Sequence, residues 1–289
     1  MRFGLSTHLF HGERLERRHL ERIAAAGFTS VEVFATRSHV DYHDRGRVHE
    51  VRGWLGDLGL SADSMHGPIC ESFRDGEWGR AFSLASTDPE RRQEALDELL
   101  AAIEAARVLG AGSLVVHLGL PAGQPVPPGD NDPRSLARSL EALVALASGT
   151  GVRLALEVIP NAMSTPDALA GLFDSSLGVA DAGVCLDLGH AHLLGGVADA
   201  VETLGGAIIT THVHDNNGRE DRHLVPGQGS IDWPVALAAL WKVGYTDRLV
   251  FEVADHGDAE AVLARTVGAR DRLQAILDDL RAPLAFEEE

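Results

Sequence analysis

The sequence predicts one domain over residues 1–289, a single α/β domain folded as a (β/α)8 TIM barrel with its active site at the C-terminal face. Three observations carry this expectation. Short apolar runs alternate with amphipathic helical stretches eight times along the chain. Dividing 289 residues among eight units gives about 36 each, a spacing that suits a barrel of typical size ~250. No Pro/Gly/Ser-rich linker interrupts the alternation, and no G-x-G-x-x-G follows the first apolar run, which disfavours a doubly wound open sheet.

In chain order, strands are expected at residues 2–7, 30–34, 62–66, 113–117, 153–158, 183–187, 208–214 and 249–253. Helices are expected at roughly 12–26, 44–58, 89–109, 133–147, 166–173, 197–204, 234–241 and 258–280. The clearest is 89–109. Asp88 stands at its N-cap, Pro89 at its first position, and Thr87 three residues before Glu90 suggests a capping box. Leu96, Leu99, Leu100 and Ile103 form its apolar stripe, and Gly110 and Gly112 end it. The post-strand loops 67–88, 118–132 and 216–231 are long, and in a barrel all three belong to the face where active sites are built.

Composition narrows the function classes. Lys and Arg total 25 against 43 Asp and Glu, a net charge of −18, which argues against a general nucleic-acid or membrane-surface binder. No apolar run approaches the ~18 residues of a membrane span, and the N-terminus runs quickly into charged residues, so no leader is expected. Two distant cysteines, Cys70 and Cys185, predict no disulfide framework and a reduced, cytoplasmic setting. The single lysine, Lys242, falls at a helix end on the wrong face for Schiff-base chemistry.

The strand ends are more informative than the counts. Strands three to eight end in His66, His117, Glu157, Asp187, His212 with His214, and Glu252. A lone histidine or glutamate in such a place is usually a packed or ion-paired residue. Here, however, no strand end offers Arg or Lys to neutralise three carboxylates, and crowding them at a barrel mouth is costly without a cation. A divalent metal removes that cost. Glu157, Asp187, His212 or His214, and Glu252 come from four adjacent strands and form a mostly oxygen donor set suited to Mn²⁺, Mg²⁺, Co²⁺ or Zn²⁺. Beside it, Asp187-Leu188-Gly189-His190 places His190 just past strand six, and Asp221-Arg222-His223 adds an Asp-x-His pair able to hold a further ion. His8, Glu32 and Phe34 are equally compatible with pocket lining and with barrel packing.

On Asp187-Leu188-Gly189-His190, His212-Val213-His214-Asp215-Asn216, Asp221-Arg222-His223, Glu157 and Glu252, the chain resembles the xylose isomerase-like TIM-barrel superfamily, which includes endonuclease IV and metal-dependent ketose epimerases. The endonuclease IV branch implies up to three zinc ions on His66, His117, Glu157, Asp187, His190, His212, Asp221, His223 and Glu252. The epimerase branch implies one Mn²⁺, Co²⁺ or Mg²⁺ on the Glu-Asp-His-Glu arc. The chain departs from the endonuclease pattern at Glu157-Val158-Ile159-Pro160, where Glu-Asn-Thr is expected, and at His66-Gly67-Pro68-Ile69-Cys70, which lacks an aromatic. Of basic residues suited to tracking DNA, only Arg37, Arg45 and Arg47 cluster.

The expected function is therefore a metal-dependent sugar isomerase or epimerase. Glu157 and Glu252 move the carbon-bound proton, His190 orients a hydroxyl, and Phe73, Arg74, Trp78 and Arg219 contact a small-molecule sugar. The alternatives are a multi-zinc phosphodiesterase and a non-catalytic sugar-binding barrel that keeps a metal.

Overall fold

The computed structural model describes residues 1–122, 126–174 and 182–282; residues 123–125 of the expected loop 118–132, and 283–289 of the expected domain, lie outside them. Eight parallel strands close into a barrel in the order β1-β10-β9-β8-β7-β6-β3-β2. These are β1 (Arg2–Ser6), β2 (Ser30–Phe34), β3 (Ser61–His66), β6 (Ser113–Val116), β7 (Arg153–Glu157), β8 (Ala182–Asp187), β9 (Ile208–Val213) and β10 (Arg248–Phe251). The remaining pair, β4 (Phe73–Arg74) and β5 (Glu77–Trp78), is a small antiparallel hairpin inside what reads in sequence as a loop.

The helices are α1 (Arg17–Ala25), α2 (Arg45–Asp57), α3 (Pro89–Leu109), α4 (Pro133–Ala147), α5 (Pro166–Asp174), α6 (Leu188–Leu193), α7 (Val197–Leu204), α8 (Trp233–Lys242) and α9 (Ala259–Arg281). Aspartate starts many of them. Asp44, Asp88, Asp132, Asp187, Asp232 and Asp258 each accept a bond from a first-turn N–H that the helix leaves unpaired. At α3 the cap is Asp88, bonded to Glu90 N at 2.9 Å; Thr87 does not form the expected box, and its own N–H goes to Gly129 O at 2.7 Å. Helix α1 begins five residues later than expected, because Thr7–Phe10 form a 3-10 turn and a reciprocal Glu16–His19 box starts the helix at Arg17.

Between the ring and its surrounding helices, Leu5, Val31, Val33, Leu114, Leu154, Val184 and Leu249 are buried in the main apolar core, and each such side chain contributes roughly 1.5–3 kcal/mol of transfer free energy. Val115, Ala155 and Cys185 form a small apolar layer with Ile209. Cys185 thus serves as filler, and burial pushes its thiol well above the ordinary range. Among the described residues no helix is long and apolar enough to cross a membrane.

Candidate active site and metal centre

Register brings the strand-end side chains to one level. Asp187 pairs with His212 across β8–β9, His212 with Val250 across β9–β10, and Glu157 with Cys185 across β7–β8. Glu157, Asp187, His212 and Glu252, all buried, then offer donor atoms that lie within 4.8 Å of one another. Two ligands on opposite sides of one ion at ~2.1 Å stand ~4.2 Å apart, so this group fits a single divalent cation with little movement. Three carboxylates and one imidazole are also the donor chemistry of a hard or borderline ion.

Two further groups flank it. His66, His117 and Glu157 form one; His190, His214, Asp221 and His223 form the other. His117 Nε2 is 2.9 Å and His66 Nε2 3.3 Å from Glu157 Oε2. His190 Nε2 is 3.0 Å and His223 Nε2 3.3 Å from Asp221, the most exposed member at 36%. Every side chain anticipated as a ligand at the strand ends and in the 221–223 segment is therefore brought to the barrel mouth.

The structure separates His212 from His214, which sequence spacing alone leaves equivalent. His212 Nδ1 faces Glu157 at 3.0 Å and Glu252 at 3.3 Å, and belongs to the central group. His214 Nε2 lies 3.0 Å from Asp187 Oδ1, its ring stacks on His223 at 3.9 Å, and its buried Nδ1 has no hydrogen-bond partner. That ring lies so close to Gly189 that a methyl group there would overlap it. The glycine of Asp187-Leu188-Gly189-His190 is thus a packing requirement of His214.

The imidazoles are oriented from behind. His66, His190 and His223 donate Nδ1–H to the carbonyls of Gly67 (2.8 Å), Val158 (3.0 Å) and Glu252 (2.8 Å), which presents Nε2 to the clusters. His223 does so from φ +44°, a left-handed conformation uncommon outside glycine. His212 is held the opposite way. Its Nε2–H donates to the buried Glu32 carboxylate at 3.1 Å, and Ser64 Oγ donates to the same carboxylate at 2.8 Å. Glu32 therefore does not line the pocket; it positions the ring that faces the central group. Glu32→Gln keeps the shape and removes the charge, and is expected to weaken divalent-ion affinity roughly 10–100-fold, measured by calorimetric titration of metal into the stripped protein.

Charges inside the site are mutually supported. Burial opposes ionisation of Glu157, yet His117 and His212 hold its carboxyl well below the usual carboxylate range. Burial likewise opposes ionisation of Asp187, where His190 and His214 prevail. Burial depresses His66, but Glu157, Glu252 and Glu32 raise it to about 9. Burial also depresses His190 and His223, which Asp187 with Asp221, and Asp221 with Glu252, raise to about 9 and about 10.

These groups open into a cavity of about 610 Å³. Phe73 and Trp78 line it, carried by the β4–β5 hairpin, with Trp78 40% exposed and stacked on His11 at 5.0 Å. Arg74 and Arg219 do not line it; both are exposed, one on the hairpin and the other in the loop after β9. Among the described residues, the Arg or Lys that does line it is Arg222. His8 and His11 also contribute, from within and just after a 3-10 turn that strand and helix periodicity does not reveal, and His256 joins them from beyond β10. The basic residues near β2 are occupied elsewhere, Arg37 with the buried Glu98 and Arg47 with Glu50 and the Leu15 carbonyl. Lys242 pairs with Glu202 on the surface at 2.8 Å, away from the pocket.

A family model described as xylose isomerase-like TIM barrel matches residues 20–277. An uncharacterised protein of Methanocaldococcus jannaschii, MJ1311, is 28% identical over 90% of this chain and 86% of its own length. D-psicose 3-epimerase of Enterocloster bolteae is 24% identical over 82% of this chain and 76% of its own. The solved structure of a D-tagatose 3-epimerase-like protein superposes with a TM-score of 0.80 at 24% identity, covering 98% of this chain and all of that one.

Proposed function

Because the chain belongs to the xylose isomerase-like TIM-barrel family, we propose that it is a metal-dependent sugar isomerase or epimerase acting on the carbon next to a ketose carbonyl. The observation that carries this reading is the convergence of Glu157 and Glu252, from strands three apart in the ring, on one four-ligand group with Asp187 and His212. The similarity to a curated ketose 3-epimerase over four-fifths of the chain supports it. Glu157, Asp187, His212 and Glu252 would hold a divalent ion, which would supply Lewis acidity to a bound ketose.

The protein side chains do the rest. Glu157, kept ionised by its histidine neighbours, takes the carbon-bound proton from one face of the substrate, and Glu252 returns a proton from the other. His190, anchored through Nδ1, orients a substrate hydroxyl. Trp78 and Phe73 cover the sugar and limit access of water.

The two flanking groups favour a second reading, a multi-zinc phosphodiesterase, because together with the central group they supply donors for three ions. Against it stands a pocket in which Arg222 is the one Arg or Lys among the described lining residues. A non-catalytic sugar-binding barrel is the third. Incubating the metal-loaded protein with a panel of ketoses in D₂O separates the three. Deuterium entering the carbon beside the carbonyl is the expected result. Binding without exchange favours the third reading, and phosphodiester cleavage without exchange the second.

A further inference from the structure

The cavity is built with two unlike walls. One carries the polar groups: His190, Asp221, Arg222, His223, Glu252 and His256, all from α6 and the segments after β9 and β10. The opposite wall comes from the segments after β3 and β6 and from α3, with Ile69, Phe82, Leu84, Ala95, Leu99 and Leu120 as its main side chains. Among the described residues of that wall there is no Ser, Thr, Asn, Gln or charged side chain beyond the ligand histidines at its base.

Several of its backbone donors are already engaged. The N–H groups of Gly67, Gly79, Phe82 and Leu120 already donate to Val115 O (2.8 Å), Ser72 O (2.7 Å), Ile69 O (3.0 Å) and Asn131 Oδ1 (2.8 Å). The Cys70 thiol donates to the Ser72 carbonyl at 3.3 Å. A free ketose carries a hydroxyl on almost every carbon, and each one buried here without a partner loses its hydrogen bonds to water. Size points the same way. At about 610 Å³ the cavity lies within the ~300–1,000 Å³ range that encloses drug-sized ligands, which are larger than a single hexose.

We propose that the site takes a ketose bearing an uncharged apolar substituent, aryl or alkyl, with the polyol end on the metal-ligand groups and the substituent against the Ile69–Leu99–Leu120 wall. This specificity rests on the ketose reading above. A phosphate tail is disfavoured, since the described residues of the wall include no Arg or Lys to meet it.

The test is calorimetric binding of D-fructose, 6-O-benzyl-D-fructose and D-fructose 6-phosphate to the metal-loaded protein. The benzyl ether is expected to bind at least tenfold more tightly than fructose, with a more negative heat-capacity change. Fructose 6-phosphate is expected to show no gain. Ala95→Phe, which fills the wall from α3, and Ala81→Phe, which fills it from beside the hairpin, are each expected to remove the benzyl advantage. Either variant alone suffices if the other fails to fold. Equal binding of benzyl ether and fructose, tighter binding of the phosphate, or a benzyl advantage that survives the folded variants overturns the proposal. Since the readout is binding, a benzyl advantage without deuterium exchange would sink the isomerase reading and leave the apolar subsite standing. Exchange on fructose with no benzyl advantage would do the reverse.

Discussion

Glu157→Gln and Glu252→Gln are each expected to lower ketose turnover by roughly 10²–10⁴-fold, the contribution of a positioned acid or base. The amide keeps the side-chain volume and can still accept a hydrogen bond, but it neither takes nor delivers a proton near neutral pH. Both residues also belong to the central donor group, so the measurement is made at saturating divalent ion, with bound metal counted in each variant. Under those conditions the two variants should differ in kind. If each carboxylate serves one face of the substrate, each variant keeps residual exchange with one epimer and loses it with the other. Near-wild-type turnover in both would remove the two-carboxylate mechanism altogether.

Stripping the metal is expected to have the other large effect, on both activity and the pH dependence of stability. With no ion bound, the neighbouring carboxylates keep the rings of His66, His190 and His223 protonated. An ordinary histidine titrates near ~6.5. Because these are raised in the fold to about 9, 9 and 10, their stabilising contribution is complete below ~6.5, the unfolded value, and is lost as pH climbs from there through 9 and 10. The depressed carboxyls of Glu32, Glu157 and Asp187 have the opposite sign, contributing above ~4 and losing it as pH falls. Thermal unfolding of the chelated protein should therefore show a melting temperature that drops between pH 8 and 10, and added Mn²⁺ or Zn²⁺ should restore it. Binding should also release protons, with one tightly held ion per chain for the isomerase and three zinc ions for the phosphodiesterase. A chelated protein with a flat melting temperature over that interval would contradict the charge arrangement.

Most of the ring was legible because its signal is local. An apolar run such as Leu114-Val115-Val116 ends where the polar letter begins, and that letter is the one that reaches the barrel mouth. What stayed hidden depends on partners distant in sequence. Glu32 sits within Ser30-Val31-Glu32-Val33-Phe34, and the ring that explains it lies 180 residues away at His212. His212 and His214 are alike in spacing, and it is their distant partners, Glu157, Glu252 and Glu32 for one and Asp187, His223 and Gly189 for the other, that distinguish them. The β4–β5 hairpin has strands of two residues each, too short for an alternating pattern to register. Arg74 and Arg219, expected to contact the sugar, stay outside the cavity because nothing in a loop sequence encodes side-chain direction, and it is Arg222 that meets it.

The contact between Gly189 and the His214 ring couples two letters of the sequence that are 25 positions apart. In this barrel a side chain at position 189 leaves no room for the imidazole of His214 where it now sits. Those two positions should therefore change together, and reading them in a newly determined sequence sorts barrels that can build the His190–His214–Asp221–His223 quartet from those confined to a smaller one.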